Sequence, residues 1–178
     1  MNRLTKWMVG ALCAVALVTS TFAATNTVAR AKSAPAQTVQ AESWVLTLGG
    51  VGNTATTGAD TAFGVDLSIG RTGHLLLPLE AGVRQSISYG DGSTTLNTRI
   101  YGDWTVLTVK KLDLFAGGAV GLQYGNQTPS WEIAPEAGVR YWVKTDAALV
   151  GRVEVPWNLA NWEFKDTVRY FLGVQIKL

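Results

Sequence analysis

The chain contains one cysteine, Cys13, and one histidine, His74. Cys13 lies in a leading segment that we predict to be removed, so the remaining chain has no cysteine with which to form a disulfide. No cluster of acidic, histidine and cysteine residues has the spacing of metal ligands. The sequence therefore predicts a fold without disulfides and without a metal or another cofactor.

The chain also has little net charge and little helical periodicity. The chain has fifteen basic and thirteen acidic residues, and two of the bases, Arg3 and Lys6, belong to the segment predicted to be removed. A protein that binds nucleic acid carries a basic patch, so a balanced chain argues against a nucleic-acid partner. No helical period is sustained after Glu42, which argues against a helical domain.

The first 23 residues have the features of a secretory signal peptide. Two basic residues precede an apolar stretch from Trp7 to Val18, which is too short to span a bilayer. Small residues at the end of the segment predict cleavage after Ala23, with Ala24 as the alternative. Residues 24–41 are small, polar and aperiodic, which predicts a flexible leader without a fold of its own.

From residue 42 to residue 178 the sequence alternates with a period of two. In AFGVDLSIG, at 62–70, apolar residues take every second position, and polar residues or glycine take the others. Eight such segments follow one another, from SWVLTLGGV at 43–51 to RYFLGVQIKL at 169–178. This pattern predicts an all-β fold, an eight-stranded antiparallel up-and-down β-barrel.

Alternation alone does not say which face points inward. A soluble barrel buries its apolar face, whereas a transmembrane barrel turns that face to lipid. Here the polar face carries acidic and basic residues in balanced numbers and is rich in glycine, which suits a narrow interior filled by long charged side chains. These features favour the transmembrane barrel.

Aromatic residues cluster near the predicted strand ends. If the first strand starts on the periplasmic side, the inner rim has Trp44, Trp104 and Trp142. The outer rim then has Tyr89, Tyr124, Trp131, Trp157 and Trp162. Two aromatic girdles are typical of barrels that span a bilayer.

The signal peptide, the eight alternating strands, the two girdles and a last strand at the C-terminus together resemble the small outer-membrane barrels of the OmpA transmembrane-domain and OmpX type. The resemblance covers Ser43 to Leu178. It implies a location in the bacterial outer membrane, contact with outer-membrane lipids, and recognition of the last strand by the barrel-assembly machinery.

The pentapeptide EAGVR occurs twice, at 80–84 and 136–140, on the predicted third and sixth strands. These strands lie roughly opposite each other and run antiparallel, which predicts that Glu80 meets Arg140 and that Arg84 meets Glu136. Charges in a lumen without bulk water need such partners. We expect five further residues to extend this network: Arg99, Asp103, Arg152, Glu154 and Arg169. A lumen filled in this way argues against a general porin.

Two functional hypotheses remain. The first is a structural or surface-interaction protein without enzymatic activity, whose outer loops bind an unidentified surface ligand. The second is a small transporter or a lipid-modifying enzyme of the outer membrane. His74 is the one candidate for histidine-dependent catalysis, and we expect it in a periplasmic turn, which favours the first hypothesis.

Overall fold

The computed structural model describes residues 42–55, 61–75, 77–90, 92–125, 129–160, 162–165 and 167–178. The predicted signal peptide, its cleavage site at Ala23 or Ala24 and the leader at 24–41 lie outside the described residues. The strands are β1 (Trp44–Ala55), β2 (Thr61–Leu75), β3 (Leu77–Gly90), β4 (Ser93–Val109), β5 (Leu112–Gly125), β6 (Ser130–Trp142), β7 (Ala147–Glu154), β8 (Trp157–Asn158), β9 (Glu163–Phe164) and β10 (Thr167–Lys177).

Eight long strands close into an antiparallel barrel, which confirms the predicted fold class. Each strand from β1 to β6 pairs with the next one in the chain, β7 pairs with β10, and β10 pairs with β1. The short strands β8 and β9 form a hairpin, and β8 also pairs with β6. Closure of the sheet leaves no unpaired edge among the long strands, which removes the usual site of edge-to-edge aggregation.

The period-two pattern places apolar and polar side chains on opposite faces of the barrel wall. Apolar side chains such as Val65 point outward and are exposed, with 51% of the Val65 surface accessible. Charged and hydroxyl side chains, such as Asp66 and Ser68 on the same strand, point inward and are buried. The barrel is thus apolar outside and polar inside, the inverse of a soluble barrel. Within the described part of the chain, no helix is long and apolar enough to cross a membrane.

The connections between strands are short at one rim of the barrel. At the rim where β1 begins, which we call the inner rim, β2, β4 and β6 pass to the next strand through short turns. His74 was expected in the first of these turns but lies within β2, opposite Pro78 and exposed. The strand is longer than predicted because the pairing of β2 with β3 continues as far as Leu75 and Leu77.

Most of the predicted girdle residues are exposed near strand ends. Trp44 and Trp104 are exposed toward the inner rim. Tyr89, Tyr124, Trp131 and Trp162 are exposed toward the opposite rim, which we call the outer rim. Trp157 is half-buried, and its ring packs edge-on against Phe164 of β9 at 6.3 Å between centroids.

Trp142 does not belong to the inner aromatic girdle, in which it was predicted to lie. Its indole Nε1 donates a hydrogen bond to Asp113 Oδ2 at 2.6 Å, and Lys177 Nζ lies 4.1 Å from its ring centroid. Both partners occupy inward positions, so Trp142 faces the lumen and not the outer wall. The alternation of β6 explains this placement, because Arg140 points inward and Tyr141 outward. Tyr141 is the exposed aromatic residue of β6 at the inner rim.

Candidate functional site

The lumen of the barrel is filled by charged side chains that contact one another. They come from strands all around the wall, because every second residue of each strand points inward. The buried members of these ion pairs are Asp66, Glu80, Arg84, Arg99, Asp103, Glu132, Glu136, Arg140, Arg152, Glu154 and Arg169.

The two EAGVR segments face each other across the lumen. Arg140 Nη2 lies 3.1 Å from Glu80 Oε2, and Arg84 Nη1 donates to Glu136 Oε2 at 2.8 Å. Because β3 and β6 run in opposite senses on opposite walls, each acid meets the base of the other copy. The repeat thus gives two cross-lumen ion pairs, and Asp103 Oδ2 links them, 3.8 Å from Arg84 Nη2 and 3.7 Å from Arg140 Nη2.

Glu154 is the centre of the network. Its carboxylate accepts hydrogen bonds from Arg152 Nε at 2.8 Å, from Arg84 Nη1 at 3.1 Å and from Arg169 Nη1 at 3.1 Å. Arg99 Nη1 makes a fourth contact. Glu154 is 1% exposed, so these guanidinium groups take the place of water around it. A buried carboxylate with four cationic neighbours holds four strands together through its charge.

Sequence reasoning missed Asp66 and Glu132 as members of this network. Asp66 Oδ1 accepts a hydrogen bond from Arg152 Nη2 at 3.4 Å, and Glu132 Oε1 accepts one from Arg169 Nη1 at 3.0 Å. The sequence pattern could have predicted both residues, since they occupy inward, polar positions in the alternation of their strands. Glu132 in particular lies four residues before Glu136.

Lys165 also reaches the lumen, and it lies four residues before Arg169, which points inward. Between the pairs Glu154–Arg169 and Trp157–Phe164, one chain segment has residues 155–156 and the other has 165–168. Lys165 therefore precedes β10, in a part of the chain where the pairing is irregular. Lys165 Nζ lies 3.2 Å from Glu132 Oε2 and contacts Gln123, so it closes the outer end of the network.

Three arginines inside the barrel stack on the faces of aromatic rings. The guanidinium carbons of Arg84, Arg140 and Arg152 lie 4.3, 4.3 and 4.4 Å from the ring centroids of Tyr101, Phe115 and Phe171 respectively. Within this distance a cation is attracted to the face of the ring. The rings therefore orient the arginines toward the carboxylates.

Inward glycines make room for these rings. An added Cβ would lie 2.4 Å from the Tyr101 hydroxyl at Gly70, and 2.5 and 2.4 Å from ring carbons of Phe115 at Gly138 and of Phe171 at Gly173. These positions have no space for a methyl group. Glycine is thus required at these three positions by the aromatic rings and, at Gly138 and Gly173, also by backbone oxygens of neighbouring strands at 2.3 and 2.4 Å.

The inner end of the lumen contains a shallow cavity. Trp142, Asp113, Lys177, Arg140 and Gln175 contribute to its lining, and its volume is about 20 Å³. That volume accommodates about one water molecule. Among the described residues, no group of three or more potential ligands is arranged to hold a metal ion.

Neither a protein-family model nor a curated protein matches this chain in sequence. Solved structures match its fold. Neisserial surface protein A superposes with a TM-score of 0.55 at 13% identity, over 77% of this chain and 97% of that one. The N-terminal β-barrel domain of Pseudomonas aeruginosa OprF superposes with a TM-score of 0.55 at 12% identity, over 75% of this chain and 97% of that one.

The chain has the fold of the small eight-stranded outer-membrane β-barrels. The shared features are architectural, because the identity to either structure is low. The barrel therefore resembles these proteins in its closed eight-strand wall, whereas its interior network has to be described from its own residues.

Proposed function

We propose that the protein is a barrel of the bacterial outer membrane with a closed lumen, which serves as a rigid, non-enzymatic scaffold for its outer loops. The observation that carries this proposal is the burial of Glu154 and its four arginines in the middle of the lumen. A water-filled channel would leave such groups hydrated.

The height of the apolar outer surface supports the membrane location. Trp131 and Tyr141, exposed on β6, are ten residues apart. At about 3.4 Å per residue and a strand tilt of about 40°, they are separated by about 26 Å along the barrel axis. The apolar band of outer-membrane barrels is about 25 Å tall.

The lumen favours a scaffold over a transporter. Arg84, Arg99 and Glu154 are each 1% exposed, and the inner cavity holds about one water molecule. The ends are closed as well, by Trp142 at one and by the Lys165–Glu132 pair at the other. Passage of a solute would require several buried ion pairs to separate, which is costly in a medium of low dielectric constant.

Among the described residues of the outer rim, those of the hairpin β8–β9 are the best placed to contact a surface partner. Trp162 at its tip is 71% exposed and has a φ of 54°, a conformation that favours glycine. A bulky residue held in that conformation is a feature of ligand-contacting segments. We infer that this hairpin carries the surface-interaction role.

Conductance is the direct test of the closed lumen. The full chain, reconstituted in a planar bilayer beside a general porin as positive control, should show no stepwise current. Conductance steps that scale with salt concentration would contradict the proposal.

Orientation is tested by labelling intact cells with a membrane-impermeant maleimide. A cysteine at Trp162 should react, whereas a cysteine at Lys144, on the inner rim, should react only after lysis.

The His74→Ala variant tests the absence of enzymatic activity. Loss of a lipid-modifying or peptide-cleaving activity in that variant would exclude the non-enzymatic role.

A further inference from the structure

The exposed basic side chains of the barrel collect at one end. Among the described residues, the exposed lysines and arginines are Arg71, Lys110, Lys111 and Lys144, all at the inner rim. At the outer rim the exposed charged side chain among those residues is Glu163. The two ends of the barrel are therefore suited to different surroundings.

Three of these four bases lie close together. Lys110 and Lys111 form the turn between β4 and β5, and Lys144 lies in the turn between β6 and β7. The two turns are adjacent, because Trp142 N donates a hydrogen bond to Lys111 O at 2.8 Å. Asp146 is the one acidic residue in these two turns, so a net positive charge remains.

Arg71 is different because it has an acidic partner. Its Nη2 lies 2.5 Å from Glu42 Oε2, and both side chains are exposed. This pair is neutral overall, and it joins Arg71 of β2 to Glu42 just before β1, away from the two lysine turns. It therefore provides a control base at the same rim.

Apolar side chains surround the three lysines on the outer wall. Val109, Leu112, Tyr141 and Val143 are all exposed there, and Leu112 pairs with Tyr141. Cations directly beside an exposed apolar and aromatic surface match a lipid molecule, whose phosphate and acyl chains are joined in the same way. A soluble anion would use the charge but leave the apolar surface without a partner.

The backbone of Lys110 points to a role for its side chain. Its φ of 55° lies in the left-handed region, in a turn where glycine is free of steric strain. The two-residue turn between β4 and β5 imposes this conformation, so lysine at position 110 keeps a cation at the rim at a cost in backbone strain that glycine would avoid.

We propose that Lys110, Lys111 and Lys144 form a binding site for the headgroup of an anionic phospholipid, with its acyl chains along Val109, Leu112 and Tyr141. The proposal rests on the membrane location proposed above. It predicts a preference for phosphatidylglycerol over phosphatidylcholine next to the barrel.

Electron paramagnetic resonance with spin-labelled lipids measures this preference. The full chain is reconstituted in phosphatidylcholine bilayers with spin-labelled phosphatidylglycerol or phosphatidylcholine, and the motionally restricted fraction of each label is compared. We expect restricted phosphatidylglycerol to be favoured about 2- to 5-fold at low salt. The ratio should fall toward one in about 1 M salt, because screening acts over about 3 Å there.

The combined variant Lys110→Gly, Lys111→Ala and Lys144→Ala should lower the ratio to about one, whereas Arg71→Gln should keep the wild-type ratio. Lys110→Gly alone removes one charge together with the unfavourable backbone conformation. It should fold at least as well as wild type and lower the ratio in part, so it tests the site even if the combined variant does not fold.

A wild-type ratio of one, or an unchanged ratio in the lysine variants, would overturn the lipid site while leaving the membrane location intact. A chain that restricts neither label would not be inserted in the bilayer. That result would overturn the membrane location and the lipid site together.

Discussion

Arg140 and Glu80 face each other across the lumen, with Nη2 and Oε2 3.1 Å apart. Glu80 has two neutral donors in addition, Tyr101 Oη at 2.8 Å and Gln175 Nε2 at 2.6 Å. The carboxylate is thus bound by three strands besides its own. This arrangement determines how the barrel responds when the arginine is removed.

We expect Arg140→Ala to lower the free energy of unfolding by about 3 kcal/mol, the lower end of the range for breaking a buried pair. The loss is limited because Tyr101 and Gln175 continue to donate to Glu80. Urea unfolding of the full chain in liposomes, followed by tryptophan fluorescence, measures the change.

The exchange of the two charges, Glu80→Arg with Arg140→Glu, tests the pairing itself. It should recover part of the loss, because opposite charges again meet across the lumen. Recovery should be incomplete, because Tyr101 and Gln175 are oriented as donors toward a carboxylate. A coupling energy of zero in the double-mutant cycle would show that the two residues do not stabilise each other.

Glu154 should be the most sensitive acidic residue of the lumen. Glu154→Gln keeps the shape of the side chain but leaves four arginine neighbours without the carboxylate charge. We expect a loss of more than about 3 kcal/mol, or failure to form the compact band that folded barrels show on unheated SDS gels.

The matched control for Glu154 is Glu42→Gln, which removes the carboxylate of the exposed pair with Arg71. Exposed pairs contribute less than about 1 kcal/mol, so this variant should unfold as wild type does. Similar losses in the two variants would mean that burial does not strengthen the network.

The two faces of β2 give a test of which side contacts lipid. Val65→Arg places a cation on the exposed apolar wall, and we expect it to cost about 2–4 kcal/mol near the middle of the bilayer. Accessibility separates this effect from general destabilisation. Val65→Cys should react with a lipid-soluble maleimide, whereas Ser68→Cys, buried in the lumen, should not. Reaction of Ser68→Cys alone would reverse the faces.

The wall of the barrel was predictable from the sequence because a strand alternates its side chains with a fixed period of two. That period assigned Val65 outward and Asp66 inward from local order alone. The same rule applied strictly to β6 would have assigned Trp142 to the lumen. The prediction that it belongs to a girdle was wrong, because a position near a strand end does not determine which face of the sheet a side chain occupies.

The centre of the network was not predictable in the same way. Which arginines reach Glu154 depends on the stagger of the strands around the barrel, a property of the closed sheet and not of any one segment. Lys165 has the parity of inward-facing Arg169, but it lies between β9 and β10, where the pattern of a regular strand does not extend. Pairing of the two EAGVR copies needed only the order and sense of the strands.

Gly49 and Gly50 are neighbours in β1 and have different surroundings. A Cβ at Gly49 would lie 2.3 Å from Leu172 O and 2.5 Å from Gly173 Cα, both backbone atoms of β10, whereas the nearest atom to a Cβ at Gly50 is 4.0 Å away. Gly49→Ala should therefore push β1 away from β10 and cost about 1–3 kcal/mol. Gly50→Ala adds an exposed methyl group to the outer wall and should be neutral or slightly stabilising.

Urea unfolding of both glycine variants in the same liposomes makes the comparison. The Phe171 ring also lies near Gly49, with a ring carbon 2.7 Å from the added Cβ, so Phe171→Leu is combined with Gly49→Ala. This second substitution should restore little stability, because the closest atoms belong to the backbone of β10 and cannot turn aside. Full recovery in the double variant would mean that the ring, and not the approach of the two strands, requires glycine at position 49. Equal effects of Gly49→Ala and Gly50→Ala would contradict the inward and outward assignments of β1.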